Sequence, residues 1–155
     1  MPIHDQPTPP MRPSESGTSP RLGYLLKHAA LRYLDLTSAE LEPIGISPHE
    51  WAALNCLHEQ YGRSQRDVAE LLGVDRTTMV ALIDQLETKG WVERHPHPAD
   101  RRKNTVGLTE KGRDVLQSGA GVVDECERRF LAVLSEPGAE QLKNALQTVI
   151  EQARR

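Results

Sequence analysis

The sequence predicts an almost wholly helical fold that carries one small β-ribbon. Aromatic residues make up only 4% of the 155-residue chain, and Leu, Ala and Val dominate its apolar set, which suits helices better than a β-sandwich. Apolar residues recur at helical spacing in successive stretches from Leu22 to Ile150. Only one pair of segments, Trp91–His95 and Asn104–Leu108, reads as two strands joined by a loop. A chain of this length is expected to form one compact domain.

The elements follow in order. Residues 1–20 hold six prolines with several Ser, Thr and Gly, so they cannot bury a core and read as a flexible arm. A helix starts at Arg21 with an apolar stripe of Leu22, Leu25, Leu26, Ala29, Tyr33 and Leu36. Pro43-Ile44-Gly45 breaks it. Ser47-Pro48-His49-Glu50 then forms a capping box with proline at the first helical position, opening a helix through Trp51, Leu54 and Leu57 to about Tyr61. Ser64 and Asp67 make a second capping box for a short helix with Val68, Leu71 and Leu72 on its apolar face. Gly73 permits a sharp turn, Val74 tucks in behind it, and Asp75 caps the next helix. There Met79, Leu82, Ile83 and Leu86 form the inner face, while Arg76, Thr77, Val80, Ala81 and Asp84 face outward. Lys89-Gly90 closes it.

The two strands follow at once. The loop between them, Pro96 to Lys103, has two prolines that are expected to stop the ladder, and its tip carries Arg101, Arg102 and Lys103. Thr109 caps a long helix with a stripe of Leu116, Val123, Cys126, Phe130 and Leu134, in which Gly119 and Gly121 weaken the helix or permit a close helix contact. Pro137-Gly138 is expected to end it, and a last helix runs from about Ala139 to Arg154 with Leu142, Leu146, Val149 and Ile150 on one side. Helix, turn, helix and ribbon in this order make a winged helix-turn-helix. Such a unit presents its second helix to a DNA major groove and its wing to the neighbouring backbone or minor groove.

The segments LLGVDRTTMVALIDQLETKGWVER and HPADRRKNTVGLTEKG resemble the MarR family of bacterial transcriptional regulators. The second is the more specific, because an Asp-Arg-Arg wing tip followed by a strand and Leu-Thr-Glu-Lys-Gly is a habit of that family. More loosely, the resemblance runs from about Leu22 to the C-terminus. It implies an all-helical dimer with a β-wing on each subunit, bound to a pseudo-palindromic operator and, in many members, released by a small ligand or oxidant. Within a single domain of residues 21–155, residues 47–113 are then the DNA-binding region, and 21–42 and 114–154 the dimerisation helices. The apolar stripes of those outer helices independently call for a second subunit.

The candidate DNA contacts are Ser64, Gln65 and Arg66 at the start of the first reading helix, Arg76, Thr77, Thr78 and Val80 on the second, and Asp100, Arg101, Arg102 and Lys103 in the wing. Arg76 can address guanine, the threonines can exchange hydrogen bonds, and Val80 can meet a thymine methyl. The resemblance pairs Asp100 with Arg102 as a braced minor-groove arginine. Some relatives carry a cation where this chain has Ala81, so shape and backbone contacts are expected to supply more of the specificity here.

The net charge is −3, yet Arg94, Arg101, Arg102, Lys103, Lys111 and Arg113 crowd into twenty residues. Local field rather than total charge governs an encounter with phosphate. No apolar run can span a bilayer and no hydrophobic signal region opens the chain, so a cytoplasmic protein is expected. His95 and His97 lack the further ligands that zinc needs, and Cys56 and Cys126 show no metal spacing, so neither metal nor cofactor is expected. Cys56 lies mid-helix among apolar residues, a poor setting for an oxidant sensor. No nucleophile elbow, phosphate loop or metalloprotease motif points to an enzyme. His28, Arg32, Trp51 and Asn55 read either as ordinary interface and core residues or as the lining of a crevice for a small aromatic or carboxylate effector, where the resembled family often binds ligands. The expected function is a dimeric repressor of transcription. The alternative is a winged-helix module that binds protein rather than DNA.

Overall fold

The computed structural model describes residues 20–59 and 64–152, so all of the expected arm but Pro20, the end of the second helix near Tyr61 and the last three residues lie outside the described residues. The elements are α1 (Leu22–Leu41), a 3-10 turn (Glu42–Ile44), α2 (Pro48–Glu59), α3 (Gln65–Leu72), α4 (Arg76–Thr88), β1 (Val92–His97), β2 (Asp100–Leu108), α5 (Glu110–Leu131) and α6 (Glu136–Gln152). The fold is mostly helical with a small β-wing, as the periodicity predicts.

Each expected cap is present. Ser47 Oγ accepts the Glu50 N–H at 3.2 Å while Glu50 Oε2 accepts the Ser47 N–H at 2.9 Å. Ser64 and Asp67 exchange the same two bonds at 3.3 and 3.2 Å. Asp75 caps α4, and Thr109 caps α5 by accepting the Gly112 N–H at 3.0 Å. Between α3 and α4 the chain turns through Gly73 at φ 66°, a left-handed value that glycine adopts without a steric penalty.

The core sits under α4. Met79, Ile83 and Leu86 bury the inner face of that helix with Leu41, Leu54, Leu57, Val68, Val92 and Val106, and half-buried Leu72, Val74 and Leu82 pack around them. Each large side chain so buried contributes about 1.5–3 kcal/mol, so the pose of α4 is held by the whole cluster. The N-terminus of α5 closes against the turn after α4. Thr109 Oγ1 donates to the Gly90 carbonyl at 2.7 Å, and a side chain at Gly112 would put its Cβ 1.9 Å from the Trp91 carbonyl oxygen.

The wing is longer than expected. β1 and β2 pair antiparallel from Val92↔Leu108 to Pro96↔Asn104, and after an irregularity His97 faces Asp100. The expected eight-residue loop therefore shrinks to Pro98 and Ala99, and Pro96 belongs to the ladder. β1 is an edge strand, where a missing N–H facing outward breaks no ladder bond. Ser64 forms an isolated bridge to Thr105, which adds a one-residue third strand and ties the start of α3 to the wing.

A second correction concerns the C-terminal helices. α5 ends at Leu131, so Leu134 lies in the connection, and Pro137 and Gly138 belong to the first turn of α6. A first turn leaves its N–H groups unpaired anyway, so proline suits it. Ser135 supplies the start, since its Oγ accepts the Gly138 N–H at 3.2 Å. α1 packs along α5, with Tyr33 edge-on to Phe130 at 5.3 Å and Arg129 donating to Glu40 at 2.7 Å.

Candidate nucleic-acid interface

α4 carries the outer face that its sequence predicts. Arg76, Thr77, Thr78, Val80, Ala81 and Asp84 are all exposed, opposite the buried Met79, Ile83 and Leu86. Asp75 accepts the Thr78 N–H at 2.9 Å and the Thr78 hydroxyl at 2.7 Å. Those bonds from Thr78 hold the Asp75 carboxyl below its usual pKa, so the cap stays ionised. They also engage the hydroxyl hydrogen of Thr78, which leaves that oxygen with acceptor capacity only. An aspartate three residues before a threonine at a helix start is visible in sequence, and it redefines what Thr78 can offer a base.

At the start of α3 the three candidates differ. The Ser64 hydroxyl donates to Asp67 at 2.9 Å and accepts its N–H, so capping uses its hydrogen and one of its two lone pairs. Gln65 is half-buried. Arg66 pairs with Glu70 at 3.3 Å, with both side chains largely exposed, a pairing weak enough to leave the guanidinium open to phosphate.

In the wing, Arg101 and Arg102 are exposed, and Asp100 Oδ1 accepts the Arg102 backbone N–H at 3.1 Å. The side chain of Lys103 lies outside the described set. His97 Nδ1 accepts the Ala99 N–H at 3.1 Å and stiffens the two-residue turn. The other cations of the basic stretch are engaged by the protein itself. Arg94 pairs with Asp84 and Glu87 of α4, Lys111 donates to the Lys89 carbonyl at 3.1 Å, and Arg113 to the Leu108 carbonyl at 2.9 Å. Among the described residues the last two bond to neutral carbonyls, whereas Arg94 spends its charge on carboxylates. Sequence reading missed this role because Asp84 and Arg94 sit on different elements.

A second buttress escaped sequence reading. Glu50 of the α2 capping box receives Lys89 Nζ at 2.6 Å, and that ammonium lies 4.5 Å from the centre of the Trp91 ring. Burial works to raise the Glu50 pKa, but the hydrogen bonds from Lys89 and Ser47 together with the Lys89 charge outweigh it and hold the carboxyl below its usual value.

The four residues considered for an effector lie on two helices, His28 and Arg32 on α1 and Trp51 and Asn55 on α2. His28 stacks on Tyr24 at 4.1 Å on exposed α1, and Arg32 is exposed. Trp51 donates its indole N–H to the Leu116 carbonyl of α5 at 3.2 Å. A Cβ at Gly119 would lie 2.4 Å from the Trp51 ring, so this glycine is the close helix contact that its sequence position allows. Asn55 is half-buried on α2. A surface hollow of about 570 Å³ is lined by Asp35, Ser38, Glu42, Ile46, Ser47 and Pro48 among others. Among the described residues no cluster of His, Cys, Asp or Glu could hold a metal ion, and no helix is long and apolar enough to cross a membrane.

A capped helix-turn-helix followed by a two-stranded wing with arginines beside its turn defines a winged helix-turn-helix protein. A sequence model of the MarR family matches residues 46–103. A MarR-family transcriptional regulator from Rhodococcus sp. RHA1 is 30% identical with a TM-score of 0.76, covering 82% of this chain and 90% of its own. CouR from Rhodococcus jostii RHA1, bound to p-coumaroyl-CoA, is 30% identical with a TM-score of 0.74 over 82% of this chain and 90% of its own. MepR of S. aureus, in a DNA complex, is 26% identical with a TM-score of 0.74 over 86% of this chain and 96% of its own. The chain belongs to the MarR family of transcriptional regulators.

Proposed function

We propose that the protein is a homodimeric repressor that binds a pseudo-palindromic operator and is released by a small aromatic or carboxylate effector. The observation that carries the DNA-binding part is the outer face of α4, whose first turn offers Arg76 and Thr77 to solvent while the rest of the helix is pinned to the core. α4 enters the major groove, Arg76 and Thr77 read base edges, Thr78 accepts from a base amino group, and Val80 meets a thymine methyl. Arg66 and Arg101 contact phosphates, and Arg102 reaches into the minor groove with Asp100 bracing it; Lys103 is assigned to phosphate from its position in the sequence. Support comes from the DNA complex of MepR.

The test is selection of binding sites from randomised duplex DNA, followed by affinity measurement on the selected site. Arg76→Ala is expected to lose about 1–3 kcal/mol and to relax preference at one base pair of each half-site. Unchanged affinity and preference would place Arg76 away from the bases.

The effector part rests on the Trp51–Leu116 bond, which joins the DNA-reading half to α5, and on the aromatic acyl ligand of CouR. A ligand that enters beside Trp51 separates α2 from α5 and so changes the spacing of the reading helices. Titration of simple aromatic acids is expected to change Trp51 fluorescence and to release DNA. A Trp51→Phe variant that keeps both ligand affinity and release would exclude this crevice.

A further inference from the structure

Arg94 leaves β1 and sends its two guanidinium nitrogens to two different carboxylates of α4, Nη2 to Asp84 and Nη1 to Glu87. The carboxylates sit three residues apart on the helix, a spacing that one planar fork can span. Asp84 lies seven residues beyond Thr77 and four beyond Val80, so it continues the outward stripe proposed to enter DNA. Glu87 extends the stripe toward the helix C-terminus, where the helix dipole is already negative. These groups occupy the seam between recognition helix and wing, the path a phosphate backbone takes when both elements engage DNA.

Two unmatched carboxylates on that path would oppose DNA directly. With Arg94 between them the trio carries one net negative charge rather than two, and one oxygen of each carboxylate is bonded to the protein's own strand, although the Asp84 and Glu87 side chains stay 58% and 41% exposed. The Arg94 side chain is only 24% exposed, so this cation meets carboxylates before it can meet solvent or phosphate. We propose that Arg94 is a positioning residue for DNA binding, one that masks Asp84 and Glu87 from the phosphate backbone and thereby makes the C-terminal half of α4 admissible to the groove. This rests on the DNA-binding reading above. It assigns Arg94 a role opposite to that of Arg101 and Arg102. Those arginines face DNA, whereas Arg94 acts through the two acids it covers.

The experiment compares the wild type with Arg94→Met, Asp84→Asn/Glu87→Gln, and the triple variant, measuring affinity across a salt series for a mixed-sequence duplex of about 30 base pairs and for the selected operator. Methionine keeps the apolar stem, and thermal melts verify folding. Arg94→Met is expected to bind both duplexes about tenfold more weakly at low salt, with a loss that shrinks as salt screens the exposed carboxylates. The triple variant is expected to return to within about threefold of wild type, since the acids that need masking are gone. The double variant tests the idea even if Arg94→Met fails to fold. It is expected to bind more tightly than wild type, because it removes two negative charges and frees a cation. A triple variant no better than Arg94→Met, or a double variant weaker than wild type, would reduce Arg94 to a structural brace and overturn the proposal. If Arg94→Met equals wild type on both duplexes at every salt concentration, the proposal fails alone. If the wild type binds neither duplex, the DNA-binding reading fails and takes the proposal with it.

Discussion

Glu50 shows how much a single side chain can join. Its carboxylate accepts the Ser47 N–H to cap α2 and receives Lys89 at the end of α4, so one group serves a local turn and a partner thirty-nine residues away. Because the folded state holds its pKa below the ordinary 4.5, the protein gains stability from the ionised form above that value and loses it as pH falls through the lower folded pKa. Glu50→Gln is therefore expected to cost about 1.5–3 kcal/mol at neutral pH, the range for a hydrogen bond to a charged group. The gap between wild type and variant should close as pH falls below 4.5, and urea melts at several pH values measure it. A gap independent of pH would assign the effect to packing rather than charge. The two halves of this residue's role differ in legibility. Ser47 and Glu50 are three residues apart, and a cap can be read from that spacing. Lys89 meets Glu50 only because α2 and the end of α4 converge on the core, and no local pattern encodes that convergence. Arg94 with Asp84 and Glu87, and Trp51 with Gly119, are hidden for the same reason.

At the scale of elements, periodicity locates α1, and periodicity with caps locates α2 to α5, within a few residues, because each of those four later helix starts carries its own capping residue. The failures have a common cause. Proline reads as a stop at Pro96 and Pro137, yet an edge strand and a first helical turn both tolerate a missing N–H. The tighter wing matters for function. With only Pro98 and Ala99 in its turn and His97 bonded to Ala99, it carries Arg101 and Arg102 on the irregular stretch of β2 held between the His97↔Asp100 and Pro96↔Asn104 pairs, rather than on a loose loop. A minor-groove arginine on such a support gives a sequence-dependent effect, since narrow A·T-rich grooves concentrate negative potential. Arg102→Ala is expected to weaken binding most on operators with A·T-rich flanks and least on G·C-rich ones. Arg101→Ala should weaken both alike and flatten the dependence of log K on log salt by about 0.9 for each phosphate left unneutralised. Affinity on matched flanks across a salt series separates the two. Equal losses on both flanks for Arg102→Ala would make it another phosphate-binding arginine.

The whole molecule poses a different question, because two of its helices end in solvent. Leu22, Leu25, Leu26 and Leu31 are exposed on α1, and so are Leu142, Leu146, Val149 and Ile150 on α6, although both helices are long and regular. Scattered apolar residues need no partner, but stripes at helical spacing on both outer helices form a surface that water disfavours. A second copy is the simplest cover, and an isologous contact would set the two recognition helices about a twofold axis. That geometry has a DNA consequence, since two such helices meet the same face of the duplex only when half-sites lie about one helical turn, roughly 34 Å, apart. Sedimentation at micromolar concentration is expected to give twice the 17.3 kDa chain mass. Leu146→Glu/Ile150→Glu should place two charges in the contact and yield monomers, while the cooperative melt of the core under α4 persists, because α6 contributes no buried residue to it. Site selection with the wild type should return an inverted repeat, and selection with the monomeric variant a single half-site bound far more weakly. A wild type that sediments as one chain while still selecting an inverted repeat would require pairing to occur on DNA itself, and would move the dimer contact from a precondition of recognition to its result.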